Sequence, residues 1–527
     1  MKGCEEMQVL PIGVHDFVQI RQDNMLYVDK TAQLQKLVEI GRRYFLARPR
    51  RFGKSLTLST LGAMFSGRLE LFRGLAAEEW VKKQAEHPAP VLRFDMSAVD
   101  NSSSEVLQQS LRENITLKAI GFDIELRSAT LSMMLTELLM RLHKRYGQVV
   151  VLIDEYDKPI LDNLSDLAKA TEMRGNLRSF YTVLKSCDEY LRFVLLTGIS
   201  RFSKMGIFSA MNNLEDISMY QEYGDIAGYT QQELESCFSE IITDCAKQMQ
   251  LSSEGLLERL KDYYDGFSFD GITRLYNPFS ILQCLRAGDF RNYWYESGSP
   301  SFITEWMKEH QIQDPEEYRH IVVNGNDFIS AQEIEQADAV SFLYQSGYLT
   351  IEKKEGQLLT LDYPNKEVLN SLASNYLKLV YKVKNYAGLG SEIWKAVKAG
   401  DISRICELYN TALAEIPYDD FAKNRNEYWY RSMFMMLLRG VGIITYAEIH
   451  TNRGRSDVLI QLRDLIIVLE FKYAAKSGEV QAKLSEGADQ LKDREYVKSY
   501  EGRRVLTAVF VADDEKRQAV CEMMNDL

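Results

Sequence analysis

Gly53, Lys54 and Ser55 stand together in the stretch LARPRRFGKSLTL, Leu46–Leu58. A loop that opens a helix offers backbone N–H groups and the helix dipole to phosphate. A lysine there meets the β- and γ-phosphates, and the following hydroxyl ligates Mg2+. The usual spacing, G-x-x-x-x-G-K-[ST], puts a first glycine five residues before Gly53; that place holds Arg48. Glycine permits an unusual backbone turn. The Arg48-Pro49-Arg50-Arg51 run offers instead guanidinium groups that bind phosphate bidentately. Gly53 is retained, so the change is expected to alter the loop's entry and not its cradle. On this reading replacing Arg48 with glycine is nearly neutral, and one of Arg50 and Arg51 contacts phosphate or closes the lid.

A second group lies downstream. Asp154 and Glu155 end the apolar run QVVVLIDE. Asp154 is the natural partner of Mg2+, and Glu155 is placed to polarise an attacking water. Thr197 ends another apolar run and is expected to sense the γ-phosphate, with Arg201 in reach.

The third group is Asp457, Glu470 and Lys472, spaced D-x12-E-x-K. Residues i and i+2 of a strand share a face, so Glu470 and Lys472 project together. A neighbouring strand can bring Asp457 beside them. Two carboxylates suit Mg2+, and a lysine can position or deprotonate water for phosphodiester hydrolysis. A bare E-x-K means little, because Glu352-Lys353-Lys354 has it too.

The elements that must hold these groups follow from periodicity. Residues 42–49, 89–97, 148–159 and 190–200 read as continuous apolar strands, and 55–65 and 131–147 as helices. Such strands joined by helices make a parallel sheet, with ligands at the strand C-terminal ends. Lys54, Asp154, Glu155 and Thr197 all fall at such ends. Thr230 and Glu233 make a capping-box signature. Residues 338–380 read as helix, hairpin, helix; they carry no basic recognition helix, so packing is favoured over DNA binding. Beyond 426 the order is α-β-β-β-α-β, closed by the strand 503–513.

Together these give an α/β chain: a P-loop NTPase parallel sheet in 1–225, a helical lid and linker in 226–400, and a second α/β domain in 401–527. YVDKT (27–31), RPRRFGKSLTLSTL (48–61), VVVLIDEYDKPI (149–160) and LLTGISRFSKMGIFSAMNNLEDIS (195–218) resemble the bacterial AAA-ATPase-like family. YYDGFSF (263–269), YNPFSIL (276–282) and NYWYESGSPSFI (292–303) resemble it too. The resemblance implies ATP bound by a loop of Arg50, Arg51, Gly53, Lys54 and Ser55, with Asp154 and Glu155 as the acidic pair. Phe279 and Trp294 are expected to pack beneath a helical lid. EIHTNRGRSDVLI, VLEFKYA and GADQLKDREY are similar to the PD-(D/E)XK nuclease superfamily, of restriction-endonuclease-like fold. That implies metal binding by Asp457 and Glu470 and catalytic support from Lys472, with Glu448 and Gln490 as secondary candidates; Ser456 stands where the pattern has proline.

Composition sets outer limits. The chain is 46% hydrophobic and 26% charged, as ordinary globular domains are. Its seven cysteines form no C-x-x-C pair, and no apolar run reaches membrane-spanning length. The expectation is a cytoplasmic protein without a membrane partner, with homo-oligomerisation left open. A net charge of −12 argues against passive nucleic-acid coating. Two functions remain. One is a nuclease that uses ATP and Mg2+ and acts on nucleic acid, with DNA the favoured partner. The other is a nucleotide-driven switch whose C-terminal domain binds without cutting.

Overall fold

The computed structural model describes residues 8–164, 166–199, 213–296, 318–325, 328, 338–375, 377, 386–416, 425–451, 454–462, 464–493 and 504–524. They form two compact units, the first reaching Asn365 and the second beginning at Lys366. The expected middle segment, 226–400, is divided at this boundary.

The first unit is built on strands β1 (Arg43–Ala47), β2 (Val91–Asp95), β3 (Val149–Asp154), β4 (Leu191–Gly198) and β5 (Glu215–Asp216), in the order β2-β3-β4-β1-β5. Every pairing is parallel. In β3, Val149, Val151 and Ile153 join one apolar core, and Val150 and Leu152 join the other. Burial on both faces is why this strand reads as an unbroken apolar run. Each such side chain contributes about 1.5–3 kcal/mol, so an ionisable residue at 151 would break the unit. The sheet aims its C-terminal ends, Ala47, Asp95, Asp154 and Gly198, to one side.

Thr230 and Glu233 form the expected capping box on the helix Gln231–Cys237. Glu233 also accepts from Lys30 Nζ at 2.7 Å, which anchors part of YVDKT to this helix. The hairpin of β7 (Thr350–Glu355) and β8 (Leu358–Asp362) gains a third antiparallel strand, β6 (Ile321–Asn324), that periodicity did not reveal. Ser268 N donates to Thr350 Oγ1 at 2.6 Å, and Arg274 Nη1 to the Ile351 carbonyl at 3.0 Å. The hairpin is therefore packed against 266–274.

The second unit has the order β13-β12-β11-β10-β9. Its strands are β9 (Ile444–Thr451), β10 (Gly454–Gln461), β11 (Leu465–Ala474), β12 (Arg504–Asp513) and β13 (Gln518–Met524). The β9–β10–β11 meander is antiparallel, and β11 pairs with β12 in parallel. The helix Glu427–Arg439 packs against β9, β10 and β11, and Val480–Asp493 against β11 and β12. Gly487 lets the latter approach closely, since a Cβ there would lie 2.5 Å from Val509 Cγ1. The strand β13, antiparallel to β12, was not expected from the sequence.

Candidate functional site

At the C-terminal side of the first sheet lies a cavity of about 470 Å³. Lys54, Ser55, Asp154, Glu155 and Lys158 line its polar part, and Val14, Pro278, Phe279 and Leu282 its apolar part. Gly53 precedes the helix Lys54–Phe65 with φ +93, and no atom lies within 4 Å of where its Cβ would be. A side chain there would be strained and would fill the cradle. Lys54 is buried, and its Nζ donates to the Arg48 and Pro49 carbonyls, each at 2.9 Å. Burial pulls its ammonium below the ordinary lysine value. These features fit a nucleotide: open room at the cradle, a desolvated cation, and a cavity with one charged and one apolar part.

Asp154 is buried, and its Oδ1 accepts from Thr197 Oγ1 at 2.8 Å. Thr197 thus orients the carboxylate. Arg93 Nη2 stands 3.7 Å from Asp154 Oδ2. Glu155 has φ +49, a left-handed conformation that costs a non-glycine residue energy. Burial pushes its carboxyl above the ordinary glutamate range, and Lys54 opposes the shift. Arg201 lies outside the described residues.

Arg48 corrects the sequence reading. Its side chain turns away from the cavity and is 1% exposed. Nη1 donates to the carbonyls of Ala47 and Ser218 at 2.9 and 2.7 Å, and Nη2 to that of Tyr223 at 3.0 Å. Its guanidinium lies 4.2 Å over the Phe269 ring. It is a structural cross-link between the loop and the segments that carry Ser218, Tyr223 and Phe269. Arg50 and Arg51 do line the cavity. Arg51 has φ +61 and lies 5.0 Å over Phe279. The Arg50 carbonyl accepts from Trp294 Nε1 at 3.2 Å and from Asn277 Nδ2 at 3.4 Å. Asn277 also caps the helix Pro278–Ala287 through Phe279 and Ser280. The NPFS and NYW motifs therefore hold the loop's backbone as well as packing, which the sequence reading did not foresee.

In the second unit the register pairs Val458 with Leu469, which brings the next residues, Asp457 and Glu470, to the same end of β10 and β11. Asp457 Oδ2 accepts from Phe471 N at 2.8 Å. Glu470 is 1% exposed, and its Oε1 accepts from Lys472 Nζ at 3.0 Å. Lys472 also donates to the Phe471 carbonyl at 3.1 Å. Arg431 Nη1 approaches Asp457 Oδ1 at 3.5 Å. Asp457, Glu470 and Lys472 are thus gathered as expected. An oxygen-rich set beside a lysine suits a hard divalent ion.

The helix Glu427–Arg439 adds Glu427, which sequence spacing missed. Burial raises its carboxyl above the ordinary range; Lys472 lowers it and Asp457 raises it. Those couplings put a third carboxylate in the electrostatic field of the cluster. The signal was the i, i+4 pair Glu427 and Arg431 on one face of an apolar helix. Gln490 lies on the helix Val480–Asp493, and its buried Oε1 has no hydrogen-bond partner among the described residues. The side chains of Glu448 and Ser456 lie outside what is described. Glu352, in the first unit, accepts from His320 Nδ1 at 2.7 Å.

Comparison with known proteins agrees with both halves. The family described as predicted AAA-ATPase matches residues 11–208, and the PD-(D/E)XK nuclease superfamily matches 425–522. A protein of Azotobacter chroococcum mcd 1, described as the uncharacterized protein in the vnfD 5′ region, is 33% identical over 507 residues. That match covers 94% of each chain. Among solved structures, the Aeropyrum pernix ORC2 protein is matched over 79% of this chain and 85% of that one, at 12% identity and a TM-score of 0.28. With a relative matched along nearly its whole length and both family patterns in place, the chain belongs to the AAA-ATPase-like family and carries a PD-(D/E)XK nuclease superfamily domain at 425–522.

Proposed function

We propose that this protein binds and hydrolyses ATP in its first unit and is a nucleotide-regulated, Mg2+-dependent nuclease through its second, with DNA as the favoured substrate. The observation that carries the nuclease reading is the buried Glu470–Lys472 pair beside Asp457. Burying charges costs several kcal/mol per ion unless geometry and hydrogen bonds offset it, and a mere strand face needs no such cluster. A divalent ion held by Asp457 and Glu470 supplies Lewis-acid chemistry at a phosphodiester. Lys472 positions the attacking water, and Glu427 adds negative charge that favours the ion.

In the first unit Lys54 turns from the loop carbonyls to phosphate, and Gly53 leaves the cradle open. Ser55 and Asp154 hold Mg2+, which neutralises phosphate charge. Glu155 accepts a proton from the attacking water, while Arg50 and Arg51 border the phosphates. The second reading, a switch that binds without cutting, draws on the net charge of −12.

Purified protein incubated with plasmid, single-stranded DNA and RNA, with and without Mg2+ and ATP, separates the two. Cleavage that needs Mg2+, is lost in Asp457→Ala and changes with ATP in wild type but not in Lys54→Ala is the expected result. No cleavage under any condition favours the switch.

A further inference from the structure

Asp154 has two oxygens, and the structure gives them different neighbours. Oδ1 is fixed by the Thr197 hydroxyl at 2.8 Å. Oδ2 faces the Arg93 guanidinium at 3.7 Å. The same Nη2 donates to the Ser55 carbonyl at 3.3 Å. One arginine therefore bridges Asp154 and Ser55, the two residues read here as holding Mg2+.

The placement follows from the sheet. Asp95 pairs with Asp154, so Arg93 starts two residues back, beside Leu152. Two strand residues span roughly 6–7 Å, a distance an arginine side chain covers. Burial alternates along β2, with Leu92 and Phe94 in the core and Val91, Arg93 and Asp95 only partly covered. β2 is also an edge strand, and the Arg93 side chain is 32% exposed. The side chain is therefore partly open to solvent. Lys118 adds another positive charge in the field of Arg93 and Asp95.

We infer that Arg93 is a resident counter-cation: it neutralises Asp154 and holds Ser55 in place before nucleotide arrives, and a divalent ion must displace it. It is a positioning residue, and it sets how much Mg2+ the site requires. A guanidinium and a divalent ion cannot both take Oδ2, because each raises the cost of the other. Without the ion, Arg93 still offsets the Asp154 charge that would otherwise repel phosphate. This inference rests on the first unit being an Mg2+–ATP site.

The test is binding of a fluorescent ATP analogue by the full chain, titrated with Mg2+ from an EDTA baseline. Wild type, Arg93→Met, Arg93→Gln and Lys54→Ala are compared, with thermal melting as a check on folding. Arg93→Gln keeps an amide donor for the Ser55 carbonyl while removing the charge, so it covers the case in which Arg93→Met fails to fold. Neutral variants should reach half-saturation at roughly ten-fold lower Mg2+, the scale of a charge neighbour at this distance. In EDTA they should bind the analogue several-fold more weakly than wild type. An unchanged or raised Mg2+ requirement in a folded neutral variant overturns the inference and leaves the ATP reading standing. A wild type that binds no analogue at any Mg2+ concentration, or binds it no better than Lys54→Ala, overturns the ATP reading and this inference with it.

Discussion

Trp294 donates its indole N–H to the carbonyl of Arg50 at 3.2 Å, across 244 positions of sequence. A residue of the helical region thereby fixes the backbone of the phosphate loop. Trp294→Phe keeps an aromatic ring but removes the donor. A hydrogen bond of this kind contributes about 0.5–1.5 kcal/mol, so nucleotide affinity should fall several-fold, as read by titration of a fluorescent ATP analogue. Equal affinity in the variant would mean that the loop keeps its shape without this bond.

Restoring glycine at 48 should harm the protein. Arg48→Gly removes the donors to the carbonyls of Ala47, Ser218 and Tyr223 and leaves a void over Phe269. Each buried group left unsatisfied costs about 1–3 kcal/mol. Calorimetry should show the transition of the first unit lowered by several degrees. A stable variant with tighter ATP binding would instead mark the loop as a damaged form of the ordinary one.

The ATP site should carry a pH signature. Burial raises the Glu155 carboxyl, and a proton acceptor must be ionised to work. ATPase activity should therefore fall on acidification at a pH above the ordinary glutamate value of about 4.3. Glu155→Gln should bind nucleotide yet hydrolyse it slowly, with that acid limb gone. Lys54→Ala should lose binding itself. An acid limb that persists in Glu155→Gln would assign it to another group.

The second unit offers a graded series. Asp457→Ala and Glu470→Ala should abolish cleavage while ATP hydrolysis continues. Glu427→Gln should lower cleavage by roughly 10–100-fold, the scale of a group that supports metal ligands. Lys472→Ala should cut slowly, and it also strips the buried Glu470 of its ammonium. Mg2+ should then raise its melting temperature more than that of wild type. Glu352→Ala should cut normally. Asp457→Ala with wild-type activity would show that the site is misassigned.

What could be read from the sequence was local. β1, β3 and β4 announce themselves as apolar runs because both sheet faces are covered, and Asp154 and Glu155 mark where β3 ends. Asp457, Glu470 and Lys472 could be placed because strand periodicity fixes which residues share a face. β6 and β13 escaped notice because they are edge strands, largely uncovered, so neither reads as a buried apolar run. Arg48 was misread for a different reason. Its position shows that a glycine is missing, but only the fold shows that its side chain turns back toward Ser218 and Phe269. Asn277 and Trp294 meet Arg50 through contacts that no local pattern encodes. The unit boundary at Asn365 falls between a hairpin and a helix that read from sequence as one element.

The two hydrogen bonds from Lys54 to the Arg48 and Pro49 carbonyls have a kinetic consequence. An arriving triphosphate meets an ammonium already engaged by the loop itself, so association proceeds in two stages: encounter at the cavity mouth, then exchange of carbonyl for phosphate. The observed association rate should level off with nucleotide concentration, at a ceiling set by how fast Lys54 lets go.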